Sequence, residues 1–345
     1  MQMKKLRKFL FFLFVLLFLG LLCHIAPYFF FSNIREIKKD KIVLQHGSSL
    51  YILEYPFLKI QIKDMDDFLR IKGIEYNWRS FDFHFPYIIF PAKYKNKLFL
   101  YFYHLNKNNF SFFNIETQEI YPLNKIPSIF SISPSKKFIL WALKDEKEND
   151  LIFLYRISFS SQQKISMELI KKIEKIKEDT IKICGSPKWD IDEKILFIPI
   201  AFPKKYKNVI IGMEYKIVKI IPYTGNTTIF TSGNIIAVCN DKIVVVEKDT
   251  CTLDKIRIKI IEKINEKEKI INIEDIFSDV NGICCSNSGR GLYLIGENKN
   301  SAFYGLWYLS FDTQVFYIVK KRLSLYWGGI KDIYCNFLCN SYKVQ

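Results

Sequence analysis

The feature that most constrains this chain is a recurring pair of short apolar strands separated by a polar turn. The pair occurs as "IVLQ" with "SLYILEY" at 42–55, "YIIF" with "KLFLYFYHL" at 87–105, and "FILWAL" with "DLIFLYRI" at 138–157. It returns as "ILFIPIAF" with "NVIIGMEY" at 195–215, "IIAVC" with "KIVVVEK" at 235–248, and "GLYLIG" with "YGLWYLSF" at 291–311. The first strands start at 42, 87, 138, 195, 235 and 291, so the steps are 45, 51, 57, 40 and 56 residues. One such unit cannot bury both of its faces. Packing units around an axis covers the faces and leaves only short, protected edges. The period therefore predicts an all-β fold, a β-propeller with six blades, or seven as the alternative. A β-sandwich is the competing arrangement that hairpins alone also allow.

Several units carry a third strand, as in "LKIQIK" at 58–63, "KIVKIIPY" at 216–223 and "QVFYIVKK" at 314–321. After the last pair, "LSLYW" at 323–327 and "DIYCNF" at 332–337 remain, and these are expected to pair with the first unit and close the ring. The charged stretches 161–183 and 255–275 read either as outer strands with long loops or as short surface helices. Trp141, Phe197, Tyr293 and Trp307 are expected to be buried between blades.

Three units also share a turn pattern. "SISPSKKFILWALKDEKENDLIFLYRI" at 131–157 places Ser133, Pro134, Ser135 and Lys136 before an apolar strand, with Lys137 following where a Gly is missing. "SPKWDIDEKILFI" at 186–198 carries Trp189 and Asp192, and "CCSNSGRGLYLIGENKNSAFYGLWYLSFDT" at 284–313 turns at Asn287, Ser288, Gly289 and Arg290. Pro fixes φ and Gly or Asn tolerates positive φ, so these residues let the chain reverse tightly. The pattern resembles the repeat of the TolB-like, WD40-like (PD40-type) propeller superfamily over about half of the chain. The resemblance implies a propeller and no single activity: members include periplasmic assembly proteins and the propeller halves of prolyl-oligopeptidase-type peptidases. Neither the separate N-terminal domain of TolB proper nor a hydrolase domain after Gln345 is expected here.

Ahead of the repeats, residues 1–8 read MQMKKLRK, and 9–31 form an apolar run interrupted only by His24. A run of that length spans a bilayer as a helix. The basic flank predicts residues 1–8 in the cytoplasm, a transmembrane anchor at 9–31, a juxtamembrane linker at 32–40, and a propeller domain at 41–345 outside the cytoplasm. A cleaved signal peptide is the alternative. Cutting after Ala26 would put His24 at the third-last position, which suits cleavage poorly. Cys23, preceded by "GLL", suits a lipoprotein signal poorly too.

The net charge is +16, of which Lys4, Lys5, Arg7 and Lys8 supply four. The lysines are scattered among Glu and Asp, with no arginine-rich stripe interleaved with aromatics, so nucleic acid is not expected as a partner. The excess of Lys reads either as a Lys-, Ile- and Asn-rich composition of the kind AT-rich coding produces or as a surface for an acidic partner. The eight cysteines contain no Cys-x2-Cys pair and fit no zinc spacing. Cys239 and Cys251 could bridge neighbouring strands in an oxidising compartment, while most of the others are expected as buried free thiols.

No motif carries chemistry. There is no Gly-x-Ser-x-Gly elbow. His24, His46, His84 and His104 read as structural rather than metal-binding. Asp64, Asp66 and Asp67 lack the spacing of a calcium loop and read as a solvated turn. The "GRG" at 289–291 precedes a strand rather than a helix, and Asn226 matches a glycosylation acceptor pattern that is common by chance. No catalytic, cofactor-binding or metal residue is assigned, and no cofactor is expected. The expected role is a membrane-anchored binding or scaffold module for a protein, peptide or envelope polymer, with lipid contacted through the helix. The alternative is a propeller enzyme acting on a glycan or other polymer through carboxylates at the central channel, whose pairing is set in three dimensions.

Overall fold

The structure is a computed structural model, and it describes residues 41–46, 48–54, 60–115, 125–176, 179–206, 209–248, 255–286, 288–300, 304–320 and 332–335. The tail, anchor and linker assigned to 1–40 lie outside the described residues, as do "LSLYW" at 323–327 and Cys251. Among the described residues, no helix is long and apolar enough to cross a membrane.

The chain forms successive antiparallel units of four strands. The second unit orders Asp82–His84, Tyr87–Tyr94, Lys97–His104 and Asn109–Ile115, with Glu75–Tyr76 also flanking its second strand. The third orders Ile129–Ile132, Phe138–Lys144, Asp150–Phe159 and Lys164–Ile173. The fourth sets Lys182–Ile183 and Lys188–Trp189 beside Leu196–Tyr206, then Val209–Ile221 and Asn226–Ser232. The fifth runs Ile235–Val238, Lys242–Lys248, Ile256–Glu262 and Glu268–Asn272. The sixth runs Phe277–Cys285, Gly291–Asn298, Tyr304–Ser310 and Phe316–Lys320. The first unit is assembled from both ends of the domain: Asp332–Cys335 pairs with Lys41–His46, which is followed by Ser49–Glu54 and Ile60–Asp64.

Packing explains why the second strands are continuous apolar runs. A strand's side chains alternate between two faces, and here both faces are covered. Along Phe138–Lys144, Ile139, Trp141 and Leu143 join a cluster shared with the second unit. Phe138, Leu140 and Ala142 join one shared with the fourth. The same rule runs through the molecule. One cluster joins Val43 and Leu50 to Ile88 and Phe90, another joins Phe197 and Ile217 to Ile236 and Val245, and another joins Val244 and Ile258 to Ile283 and Leu294. The last joins Tyr293, Ile295 and Tyr308 of the sixth unit to Ile42, Leu44 and Leu53 of the first. Trp141, Phe197, Tyr293 and Trp307 are buried, each in a cluster between neighbouring units. The first strands of successive units adjoin, Phe277–Cys285 lying beside both Ile235–Val238 and Asp332–Cys335. Sheets stacked in sequence, with their first strands together, form a β-propeller.

Several sequence expectations are corrected. The pair at 235–248 comprises the first and second strands of its unit, whereas the other five pairs comprise second and third strands. Counted by second strands, the starts are Lys41, Tyr87, Phe138, Leu196, Lys242 and Gly291. The short step of 40 thereby disappears. "NVIIGMEY" and "KIVKIIPY" are one strand, Val209–Ile221, long enough to cover the whole of Leu196–Tyr206. Of the two readings of the charged stretches, the strand reading holds: 161–183 supplies the outer strand Lys164–Ile173 and three two-residue strands, and 255–275 supplies two strands, with no helix among their described residues. Asp64 caps helix α1 (Met65–Ile71), its carboxylate accepting from the Asp66 amide at 2.9 Å, so the acidic cluster starts a helix rather than a turn. Outer strands of the second and third units hydrogen-bond in parallel, Lys164 opposite Asn114 and Ile165 opposite Ile115, which joins those two units into one sheet.

The cysteines also pair differently. Cys239 bonds Cys285, not Cys251. Cys239 directly follows the first strand Ile235–Val238 and Cys285 ends Phe277–Cys285, and because those strands adjoin, the Cα atoms come within 5.6 Å. That separation suits a disulfide. Cys284 is likewise disulfide-bonded, so among the described cysteines only Cys184 is a free thiol.

Candidate functional site

The two faces of the ring differ in how far their own side chains satisfy one another. On one face lie the turns from first to second strand. Three share a geometry: Ser133 and Phe138, Asp190 and Ile195, and Ser286 and Gly291 close by N–H to C=O bonds of 2.8–2.9 Å. In each, the fourth residue has positive φ: Lys136 at 61°, Glu193 at 58° and Gly289 at 71°. The fourth-unit turn is therefore 190–193, inside the element read at 186–198 and containing Asp192, and only the sixth unit uses the glycine that this backbone favours. These turns bond to one another across units. The Ser135 amide and hydroxyl donate to the Glu193 carboxylate, and Lys263 pairs with Asp190. The Lys136 ammonium lies 5.7 Å over the Tyr87 ring and 5.4 Å over Phe102.

Nearer the axis, polar groups of the first strands link three units. The Trp189 indole N–H donates to Ser131 Oγ at 2.9 Å. Ser131 Oγ–H and the Ile132 amide donate to Asp82 Oδ2 at 2.8 and 2.7 Å, and His84 Nε2 lies 3.5 Å from the same oxygen. Burial pushes the Asp82 carboxyl up, but His84 and these donors outweigh that and hold it below its ordinary value. The arrangement is a latch. Asp82 sits between serine and histidine, so the imidazole cannot act as a base toward the hydroxyl as nucleophilic catalysis requires. His104 Nδ1 accepts from the amides of Asn106 and Lys107 at 3.2 and 3.3 Å, which makes it a turn residue. Among the described residues, no group of three or more His, Cys, Asp or Glu side chains could hold a metal.

The opposite face carries a cleft of about 260 Å³ between the fourth and fifth units. Its floor is the link after Asn226–Ser232. Gly233 has φ 147°, and a Cβ there would lie 2.2 Å from Val245 Cγ1 and 2.9 Å from the Val246 carbonyl oxygen. Only glycine lets the link pass so close. Gly233 N–H donates to the Tyr215 carbonyl, and Asn234 N–H to that of Val246. Met213 and Tyr215, two apart on one strand, form one wall, and Glu247, Lys248, Lys255 and Arg257 form the other, with Lys204 and Glu214 at the rim. Glu247 is already engaged: Ser232 Oγ–H donates to it at 2.5 Å, and buried Lys259 reaches it at 3.2 Å. Lys248 pairs with Asp279 at 2.9 Å and Glu214 with Lys216 at 3.1 Å. Lys255 and Arg257 have no ion-pair partner among the described residues. The cleft can therefore hold an anion. No residue of it was assigned from the sequence, because Ser232 and Arg257 come together only through packing; the signal available was the Ser-Gly step at a link between units.

No protein-family model matches the chain, and no curated protein matches it by sequence. Solved structures do. TolB from Acinetobacter baumannii aligns at a TM-score of 0.48 and 13% identity, covering 80% of this chain and 62% of that one. The chain is similar in fold to TolB. It spans less than two thirds of that TolB's length. A putative TolB from Agrobacterium tumefaciens aligns at 0.43 and 12% identity, over 81% of this chain and 88% of that one. The β-propeller domain of the Trilobed protease from Pyrococcus furiosus aligns at 0.37 and 12%, over 70% and 84%.

Proposed function

We propose that the chain is a binding module: a six-bladed propeller held at a membrane by residues 9–31, its domain outside the cytoplasm, engaging a protein or peptide on the face that carries the cleft. The observation that carries this reading is the contrast between faces. Turns on one face engage one another through the Ser135–Glu193 hydrogen bonds and the Lys263–Asp190 ion pair. The other face leaves Lys255 and Arg257 without an ion-pair partner among the described residues, beside Met213 and Tyr215. Loops and clefts on a rigid scaffold are where recognition residues sit. The six clusters that join neighbouring units, the last unit to the first included, support six blades. The Cys239–Cys285 bond supports an oxidising compartment, and so a domain outside the cytoplasm.

The test is site-specific photocrosslinking of the full chain in membranes. A crosslinker at Glu214, beside the cleft, should trap a partner. One at Ile264, exposed beyond the far end of strand Ile256–Glu262, should trap none. Capture should fall as salt rises, since exposed charges are screened over about 8–10 Å at physiological ionic strength. Equal capture from both positions would remove the face assignment. Turnover of a glycan or peptide, abolished by a carboxylate substitution at the channel, would replace the reading with an enzyme.

A further inference from the structure

Resting on that reading, we propose that the cleft between the fourth and fifth units is a carboxylate-recognition site for an acidic peptide segment, with Arg257 as its principal anchor and Lys255 beside it. Cross-strand geometry sets this up. Arg257 stands directly opposite Glu247 in the register of Lys242–Lys248 with Ile256–Glu262. Such neighbours ordinarily pair. Here Lys259, two residues along the same strand and on the same face, takes Glu247 at 3.2 Å while also donating to Ser232 Oγ at 2.9 Å. Arg257 is thereby left half-buried, with no carboxylate partner among the described residues.

Such a guanidinium is less screened than a surface lysine, and its planar fork matches a carboxylate through two parallel hydrogen bonds. The cavity, about 260 Å³, lies below the roughly 300–1,000 Å³ of sites that enclose a whole small ligand. It therefore admits one group of a larger partner, such as an Asp or Glu side chain or a chain's C-terminal carboxylate. Met213 and Tyr215 supply an apolar wall for the flanking stem. Met, Tyr and Arg together are the residue types enriched where proteins meet, which favours peptide over a uronic-acid polymer.

The experiment uses the full chain in detergent micelles and a fluorescein-labelled hexaglutamate peptide, read by anisotropy, with polygalacturonate and inorganic phosphate as competitors. Arg257→Glu and Lys255→Glu should each weaken binding about tenfold or more, as expected for loss of a charge-assisted contact. Arg257→Lys should restore part of it, and Lys267→Glu at the opposite end of the unit should leave it unchanged. Unaltered melting temperatures keep the comparison on binding. Equal affinity in wild type and Arg257→Glu would overturn the assignment of the cleft. No binding of the peptide, with crosslinking at position 214 intact, would overturn the carboxylate chemistry while leaving the wider reading standing. Displacement by polygalacturonate or phosphate at lower concentration than unlabelled peptide, in an Arg257-dependent way, would overturn the peptide source. Absence of crosslinking at 214 would instead remove the reading on which this one rests.

Discussion

Asp82 is a half-buried carboxylate whose two donors and histidine neighbour stabilise its charged form. Its folded-state value lies below the ordinary one. As pH falls below about 4, the unfolded chain takes up this proton first, so acid favours unfolding. Asp82 therefore contributes stability that is fully present above about pH 4 and is lost as pH falls through its folded-state value. In Asp82→Asn the slope of unfolding free energy against pH should flatten in that window, measured by urea titration at successive pH values. An unchanged slope would mean that other carboxylates dominate acid unfolding. At Gly233 the expectation is steric. Gly233→Ala forces a methyl into Val245 and should cost about 1–3 kcal/mol, and it should weaken the cleft's ligand further by displacing its floor.

At the scale of elements, the strands were legible because both faces of each second strand are covered. "FILWAL" and "ILFIPI" therefore read as unbroken apolar runs. The phase of the repeat was less legible. Ile235–Val238 is a first strand as apolar as any second strand, so composition could not separate the two. Val209–Ile221 looked like two strands because Gly212 and the charged Glu214 and Lys216 interrupt its apolar character at an exposed end. The fourth-unit turn departs from the repeat in residue type but not in backbone geometry: Asp190 and Glu193 do the work of Ser133 and Lys136 with no Pro or Gly. The cleft was not legible at all, since Lys204, Ser232 and Arg257 are neighbours only after two sheets stack. Trp141, fully buried between the second and third units, gives the packing a direct test: Trp141→Ala should cost about 3–5 kcal/mol in thermal or denaturant unfolding. Cys239→Ser opens a link across a separation of 46 residues and should cost about 2–4 kcal/mol in the same measurement.

At the scale of the whole molecule, the first unit takes a strand from each end of the domain. Deleting residues 323–345 should lower the melting temperature of the entire domain in one cooperative transition rather than fray a terminus, as followed by calorimetry. A truncated chain that melts as high and as sharply as wild type would mean that the closing strand is dispensable. The same pairing governs how the protein is made. Until residues 332–335 have left the ribosome, strand Lys41–His46 keeps one edge without a mate. Such an edge is a template for another chain's strand. Polysomes carrying nearly complete copies thus hold many identical sticky edges close together, a setting in which nascent chains cross-pair. Synthesis of this domain therefore places its main demand on chaperones late, in the interval just before the last strand emerges.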